Sequence, residues 1–174
     1  MRHLLLILFC AIMAAGCQKS NDYVINPTGK KSDLYGQWVR GEFDMNQFWN
    51  YTPSDSALDL NTQAFTFDAD NGCEYFDIKL AGQSRDSSTL TWLHGNCQFD
   101  MEKMQFTFTP DAGIHRSFPA GSSNATFRLV TEEELINSRV TYNLQTGFLS
   151  NQPFLAVSFS GNPPQRLVFQ KTSW

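Results

Sequence analysis

The chain has 174 residues, 17 acidic against 13 basic side chains and a net charge of −4, with 41% hydrophobic and 14% aromatic residues. That length fits one globular domain, and fifteen Phe with four Trp supply enough apolar surface to exclude a disordered chain. No basic surplus is present to neutralise phosphates, so no nucleic-acid partner is expected.

The N-terminus, Met1-Arg2-His3 followed by the mostly aliphatic run from Leu4 to Ala15 and then Gly16-Cys17, has the pattern of a signal peptide over residues 1–16. A helix of about twelve residues reaches about 18 Å, short of the about 30 Å hydrocarbon core of a bilayer, which argues against a permanent span. The small residues Ala14-Ala15-Gly16 before Cys17 resemble the lipobox of bacterial lipoproteins. That resemblance implies cleavage before Cys17, lipidation of Cys17 with acyl chains such as palmitate, and a bacterial cell envelope location, lipid-anchored at the outer membrane, with the membrane as partner. Residues 17–33 then read as a lipidated tether, polar and interrupted by Pro27-Thr28-Gly29. A flexible coil of about 16 residues spans roughly 20–25 Å.

From Leu34 onward, short runs rich in Phe, Val, Thr and Tyr alternate with turn clusters. Tyr35 to Phe43 reads as a first strand, Asn46 to Tyr51 fits neither strand nor helix cleanly, and Pro53 to Asp59 reads as a connection. Thr62 to Asp68 and Cys73 to Leu80 form a hairpin around Asp70-Asn71-Gly72, because Asn-Gly favours tight turns. Further strands are expected at 89–97, 103–109, 113–118, 126–130, 139–144, 154–159 and 166–171. One helical turn is expected after Thr131, which has Glu134 at the capping-box spacing. The acidic run Glu132-Glu133-Glu134 reads as its solvated first turn rather than a cation site.

About ten short antiparallel strands must dispose of their edges, and closing the sheet does so completely. The expected fold class is therefore all-β, an antiparallel up-and-down β-barrel of about 8–10 strands over residues 34–174, with at most short helical turns. Cys10 lies in the signal peptide and Cys17 is assigned to the lipid, which leaves Cys73 and Cys97. A structural disulfide between them is expected, across a hairpin centred near Arg85. Two buried thiols are the alternative; a metal site lacks the further ligands it would need.

Leu34-Tyr35-Gly36-Gln37-Trp38 resembles the Gly-x-Trp signature that opens lipocalins and related calycin barrels, and Arg166 to Lys171 (RLVFQK) resembles their closing strand. Asn-Gly-Cys-Glu-Tyr-Phe at 71–76, Gly-Asn-Cys at 95–97 and the stretch from Phe108 to Phe118 are similar to lipocalin-like lipoproteins of the Bacteroidota type. The C-terminal helix of lipocalins has no counterpart, so the resemblance is to the wider calycin group. In an even-stranded up-and-down barrel the last strand meets the first, which brings Lys171 toward Trp38. The resemblance implies a base built on Gly36, Trp38 and Lys171, with the ammonium over the indole. The plainer alternative is that Trp38 fills the base while Lys171 reaches solvent.

Beyond the signal peptide the histidines are His94 and His115, and neither a Gly-x-Ser-x-Gly elbow nor a His-x-x-x-His pair occurs. No catalytic residues, cofactor or metal are expected. Asp68-Ala69-Asp70-Asn71-Gly72 alternates like a calcium loop, but its glycine falls at the fifth position and Lys79 stands where a bidentate Glu should be, so a turn explains it better. Asp55-Ser56-Ala57 resembles the acceptor motif for O-glycosylation in Bacteroidota envelope proteins. Aromatic residues including Phe43, Phe48, Trp49, Phe65, Phe67, Tyr75, Phe76, Trp92, Phe106 and Phe108 are expected to line or fill the interior. Phe43, Phe48 and Trp49 are the candidate ligand-binding residues, because related barrels carry their mouth-covering segment after the first strand. The expected function is an envelope lipoprotein whose barrel binds a small apolar or amphipathic ligand without catalysis. The alternative is a cavity-free barrel that serves as a structural or interaction module for an envelope protein partner. A cavity opening near Phe48 and Trp49 favours the first; an enzyme would instead set His94 or His115 against a carboxylate in a cleft.

Overall fold

The computed structural model describes residues 29–53, 61–80, 87–120, 122–159 and 165–173, and the backbone of Tyr23–Ile25. The signal peptide, Cys17, Asp55-Ser56-Ala57 and Arg85 lie outside the described residues. The elements are β1 (Tyr23–Ile25), α1 (Lys31–Leu34), β2 (Gly36–Arg40), α2 (Met45–Asn50), β3 (Asn61–Phe67), β4 (Gly72–Lys79), β5 (Ser87–Asp100), β6 (Gln105–Pro119), β7 (Thr126–Leu129), α3 (Glu132–Asn137), β8 (Val140–Leu149), β9 (Gln152–Phe159) and β10 (Gln165–Thr172).

Eight strands close on themselves in the order β2-β3-β4-β5-β6-β8-β9-β10, with β10 returning to β2 and every pairing antiparallel. Closure between β6 and β8 uses only Gln105–Phe108 against Asn143–Val140. Beyond that stretch β7 takes over the free edge of β6 at Ile114–Ser117, and β1 takes the free edge of β8 at Gly147–Leu149. Backbone groups at these positions of the two edges are thereby paired.

Alternation along the strands decides which side chains enter the barrel. Trp38 faces Phe65, Phe65 faces Tyr75 and Tyr75 faces Leu93 across successive strands, so these residues share the inner face. The neighbouring rung, Val39–Ala64–Phe76–Trp92, points outward by the same pleat. Both faces are apolar in this part of the sheet, and each has its own core. The inner core gathers Trp38, Phe65, Phe67, Phe106, Phe108, Leu155 and Phe169; the outer one gathers Phe48, Tyr51, Phe76, Ile78, Leu90 and Phe118.

The β3–β4 hairpin turns where Asn-Gly was expected. Asn71 takes φ 70°, and the Asp68 carboxylate accepts hydrogen bonds from the backbone of Asp70 at 2.9 Å and Gly72 at 2.6 Å. The strands expected at 103–109 and 113–118 are one strand, β6, whose register against β5 shifts between His94 and Gly95. Pro110, which has no N–H for a ladder, sits opposite Gly95 beside this bulge. A Cβ on Gly95 would lie 2.2 Å from the Thr109 carbonyl oxygen, so the close approach of the two backbones excludes any side chain there.

Asn46 to Tyr51 resolves as helix α2. The Asp44 carboxylate accepts from the Gln47 N–H at 2.8 Å and caps its N-terminus, and Phe48 plugs the outer core. At the other end Arg116, reaching out from β6, donates to the carbonyls of Phe48 and Trp49 at 2.9 Å and of Tyr51 at 3.3 Å. A helix this short has no stability of its own. The outward rings and this guanidinium hold it on the wall.

Two expectations are corrected by these pairings. Residues 17–33 are not a continuous tether: Tyr-Val-Ile, an aromatic and two β-branched residues, pairs with β8 as β1, and Lys31–Leu34 form α1. Nor are Cys73 and Cys97 bridged; both are buried thiols. Cys73 pairs with Gly95, and the Cys97 N–H donates to the Asn71 carbonyl, so the two cysteines sit diagonally on adjacent strands rather than directly opposite. The Cys73 thiol is pushed well above its ordinary pKa, first by burial and then by a hydrogen bond and charge from Cys97.

Replacing Arg116 by Met keeps the stem and removes the donors to three carbonyls. It is expected to cost about 1–3 kcal/mol in urea unfolding and to unseat α2, read as increased exchange of the amides of residues 45–51. In a Cys10→Ser/Cys17→Ser chain kept without reductant, a thiol reagent is expected to label neither remaining cysteine in the folded protein and both in denaturant. Absence of labelling in denaturant would reveal a bridge.

Candidate functional site

The lower end of the barrel is sealed. Gly36 opens β2 with φ 112°, a conformation in the region that favours glycine, and a Cβ there would meet the Lys171 stem at 3.3 Å. Lys171 pairs with Trp38 across the β10–β2 ladder, its ammonium 5.3 Å from the indole centroid, and donates to the Asp33 carbonyl at 3.2 Å. The Trp38 N–H donates to the Leu34 carbonyl at 2.7 Å, which ties α1 across the floor. Trp38, Gly36 and Lys171 thus sit together at the base and close the interior from below.

Above the indole the interior is filled by rings. Phe65 meets Phe106 at 5.8 Å and Phe169 at 5.4 Å in edge contacts, and Phe106 stacks on Tyr142 at 4.8 Å. The filling stops at that layer. Toward the opposite end a cavity of about 370 Å3 opens inside the wall, lined by Arg40, Gln63, Phe65, Tyr75, Val140, Tyr142, Phe159, Gln165 and Leu167. Its volume lies within the range usual for small-molecule sites, about 300–1,000 Å3.

The lining changes character from floor to rim. Phe65, Tyr142, Phe159 and Leu167 make an apolar pocket, while Arg40, Gln63 and Gln165 stand higher. Arg40, two residues beyond Trp38 on the same face, donates to the Gln63 side-chain oxygen at 3.3 Å. The Gln63 amide nitrogen donates to the Tyr75 hydroxyl at 2.9 Å and to the Asp77 carboxylate at 3.2 Å. Following the ladder, Arg40 faces Gln63, Gln63 faces Asp77, Asp77 faces Thr91, Thr91 faces His115 and His115 faces Arg128. One rung of the inner wall is polar across six strands.

Burial is the main cause of the perturbed titrations here. It raises the Tyr75 hydroxyl well above its ordinary value, with the Asp77 charge adding to the effect, and raises Tyr142 to about 12. His115, bonded to the Thr91 hydroxyl at 2.9 Å, is lowered by burial and by the nearby Arg128 charge, which keeps it neutral at pH 7.

Phe43, Phe48 and Trp49 do not border this cavity. They lie on the outer wall, Phe43 and Phe48 each 5.1 Å from Phe76 and Trp49 5.9 Å from Trp92, because α2 packs on the outward rung instead of folding over the mouth. Of the aromatic residues expected inside, Phe65, Phe67, Tyr75, Phe106 and Phe108 are inside, whereas Phe76 and Trp92 face outward. His94 does meet a carboxylate, Asp111 at 2.8 Å, but both are exposed on the outer wall. Two other depressions, about 860 Å3 beside α1 and the β5–β6 turn and about 490 Å3 beside β2 and β4, are open to solvent. Among the described residues no group of three or more His, Cys, Asp or Glu is placed to hold a metal ion.

Arg40, Gln63, Tyr142, Gln165 and Leu167 were not singled out from sequence. The strand period carries a signal for the first of them, since Arg40 must share the face of Trp38.

The buried hydroxyls and thiol set the response to alkali. Unfolded tyrosine and cysteine release their protons near 10.0 and 9.0, but the folded chain holds those of Tyr75, Tyr142 and Cys73 to higher pH. The unfolded state therefore binds fewer protons above about pH 9, and the contribution of these three groups to stability is expected to be level between pH 7 and about 9 and to fall as pH rises toward 12. Urea midpoints at pH 7, 9 and 10.5 check this, and Tyr75→Phe with Tyr142→Phe is expected to flatten the fall.

No protein-family model matches the chain, and no curated protein or solved structure was found similar to it.

Proposed function

We propose that this protein is a non-catalytic container whose barrel mouth holds one small amphipathic molecule, on a domain anchored to a bacterial envelope membrane through lipidated Cys17. The observation that carries the reading is the cavity of about 370 Å3 above the aromatic filling, apolar at its floor and polar at its rim. A barrel that served only as a packed scaffold would continue its layers of rings to the rim. The residues around the cavity hydrogen-bond one another, and none is a nucleophile paired with a base.

Tyr23 pairs with Leu149 beside the sealed base, at the end away from the mouth. Six residues from Cys17 to Tyr23 extend at most roughly 20 Å, so an acylated Cys17 keeps the base near the bilayer and turns the mouth away from it. The calycin resemblance and the lipobox support the same picture.

A second reading, a docking module for an envelope protein, is favoured by one observation: Trp49, Phe127 and Leu129 are 39%, 61% and 70% exposed, on the outward side of α2 and β7. Patches of this kind occur at interaction sites.

Native mass spectrometry of the full chain purified from its own envelope is expected to find one retained small molecule. Val140→Trp, which fills the cavity from its wall, is expected to abolish retention, and Phe127→Ser on the outer wall is expected to leave it intact. Retention that survives Val140→Trp would place the ligand elsewhere.

A further inference from the structure

The cover on the outer wall stops before the sheet does. The outward rung Val39–Ala64–Phe76–Trp92 continues through Ile114 to Leu129, and a neighbouring one runs Ile78–Leu90–Arg116–Phe127. Helix α2 reaches as far as Trp92, where the Trp49 ring stands 5.9 Å away. On β7 the outward side chains are left open, Phe127 at 61% and Leu129 at 70% exposure. Among the described residues β7 is also the end of the sheet, with β6 as its one neighbour.

The same strand has a free backbone edge. The Val130 N–H donates to the Gly113 carbonyl at 3.0 Å, which makes these two a hydrogen-bonded pair of the ladder. In antiparallel pairing such pairs alternate, so Thr126 and Arg128 turn their backbone groups to β6, and Phe127 and Leu129 turn theirs away from it. The Leu129 carbonyl accepts from the Arg128 side chain at 3.4 Å and keeps a second lone pair. Edges are ordinarily protected by Lys, Pro or a bulge. Strand β7, Thr-Phe-Arg-Leu in unbroken register with β6, has none of these. Its one charge, Arg128, lies on the inner face and holds the Glu134 carboxylate with both guanidinium nitrogens at 2.7 Å.

An antiparallel copy of β7 makes the most of this edge when Arg128 stands opposite Arg128 across a two-fold axis. Phe127 of each copy then faces Leu129 of the other. The two pairs exchange four backbone hydrogen bonds, and each sets an aromatic ring against an aliphatic side chain on the outer face. Phe-Arg-Leu is thus complementary to itself, which is what a two-fold contact requires. Arginine opposite arginine would repel, but Glu134 supplies the matching charge on each copy. Hydrogen bonds from Arg128 and from Thr131 lower that carboxyl to about 2, so it stays ionised at neutral pH. Area sets the strength of the contact. A fully covered Phe buries about 150–250 Å2, so two partly exposed side chains and a four-residue edge fall short of the roughly 800 Å2 per partner of a standard interface. We infer that the protein forms a weak, reversible two-fold dimer through β7, with Phe127 of each copy packed on Leu129 of the other. The inference is independent of the container reading, and it gives the open outer wall a second copy of this chain in place of an envelope partner.

Sedimentation velocity and amide exchange of the full chain carrying Cys17→Ser test it, at concentrations from about 5 µM to about 500 µM, the range of a weak contact. Monomer is expected at the low end and dimer at the high end. Exchange of the Phe127 and Leu129 amides is expected to slow several-fold as concentration rises, while the Arg128 amide, bonded to β6, is protected throughout. Phe127→Lys places a charge on the exposed outer face and is expected to weaken the dimer at least roughly tenfold while leaving the monomer folded. Glu134→Gln keeps the capping box but uncovers Arg128; the dimer is expected to weaken at low salt and to recover at high salt, where the repulsion is screened. A monomer at every concentration overturns the inference, as does a dimer that leaves the Phe127 and Leu129 amides unprotected or survives Phe127→Lys. Growth beyond the dimer also overturns it, because β7 would then be pairing with a different edge. A Glu134→Gln variant that dimerises like the parent chain at low salt overturns the register centred on Arg128.

Discussion

The pairing of β10 with β2 is the contact on which the rest of the structure depends. Three backbone rungs, Gln170–Val39, Lys171–Trp38 and Thr172–Gln37, turn a sheet with two open edges into a wall with an inside. Once the wall is closed, the pleat assigns every side chain to one compartment or the other. The same three rungs set Lys171 over the Trp38 indole and within reach of the Asp33 carbonyl, so the contact that closes the barrel also seals its floor. A cation–π contact contributes about 0.5–2 kcal/mol depending on desolvation, less than the ring packing above it. Its consequence is geometric, because it fixes which end of the barrel can be open.

Closure explains why this sheet carries two apolar cores. In a simple barrel the outer face meets water and alternation gives a polar exterior. Here the outward rung contains Val39, Ala64, Phe76 and Trp92, which needs its own cover. Helix α2 supplies it, with Phe48 set edge-on against Phe76 at 5.1 Å and Arg116 holding the helix C-terminus. The cover is therefore a structural necessity of the outer wall. That need draws Phe43, Phe48 and Trp49 away from the mouth and leaves the cavity to the residues of the wall.

The strands were legible because they are short, aromatic-rich and separated by turn chemistry, and Asp70-Asn71-Gly72 marked its hairpin by a local rule. The meeting of Lys171 with Trp38 followed from the topology of an even-stranded barrel. What was not legible has a common cause: it depends on partners far away in sequence. Residues Asn46 to Tyr51 form a helix only because an apolar outer wall and Arg116, some seventy residues downstream, hold them there. Tyr-Val-Ile becomes β1 because the lower edge of β8 is vacant. The Cys73–Cys97 spacing located the hairpin but not its register, and a shift of two residues separates a cross-strand bridge from a diagonal pair of thiols. The cavity was hidden for the same reason, since whether rings fill a barrel is decided by how far up each strand the aromatic run extends.

That last point determines the division of the interior. On β3 the inward positions run Phe67, Phe65, Gln63 from base to rim; on β4 they run Cys73, Tyr75, Asp77; on β2, Trp38 is followed by Arg40. Each strand changes from apolar to polar at the same height, so the change forms a level boundary rather than scattered substitutions. A buried polar rung is costly unless its members are satisfied, and the Gln63 amide spends its donors on Tyr75 and Asp77 to achieve this. Stability alone does not call for such an arrangement, because more Phe or Leu at these heights would fill the space with less risk. The amphiphile proposed above accounts for both halves at once, since its tail completes the ring packing and its head meets the polar rung.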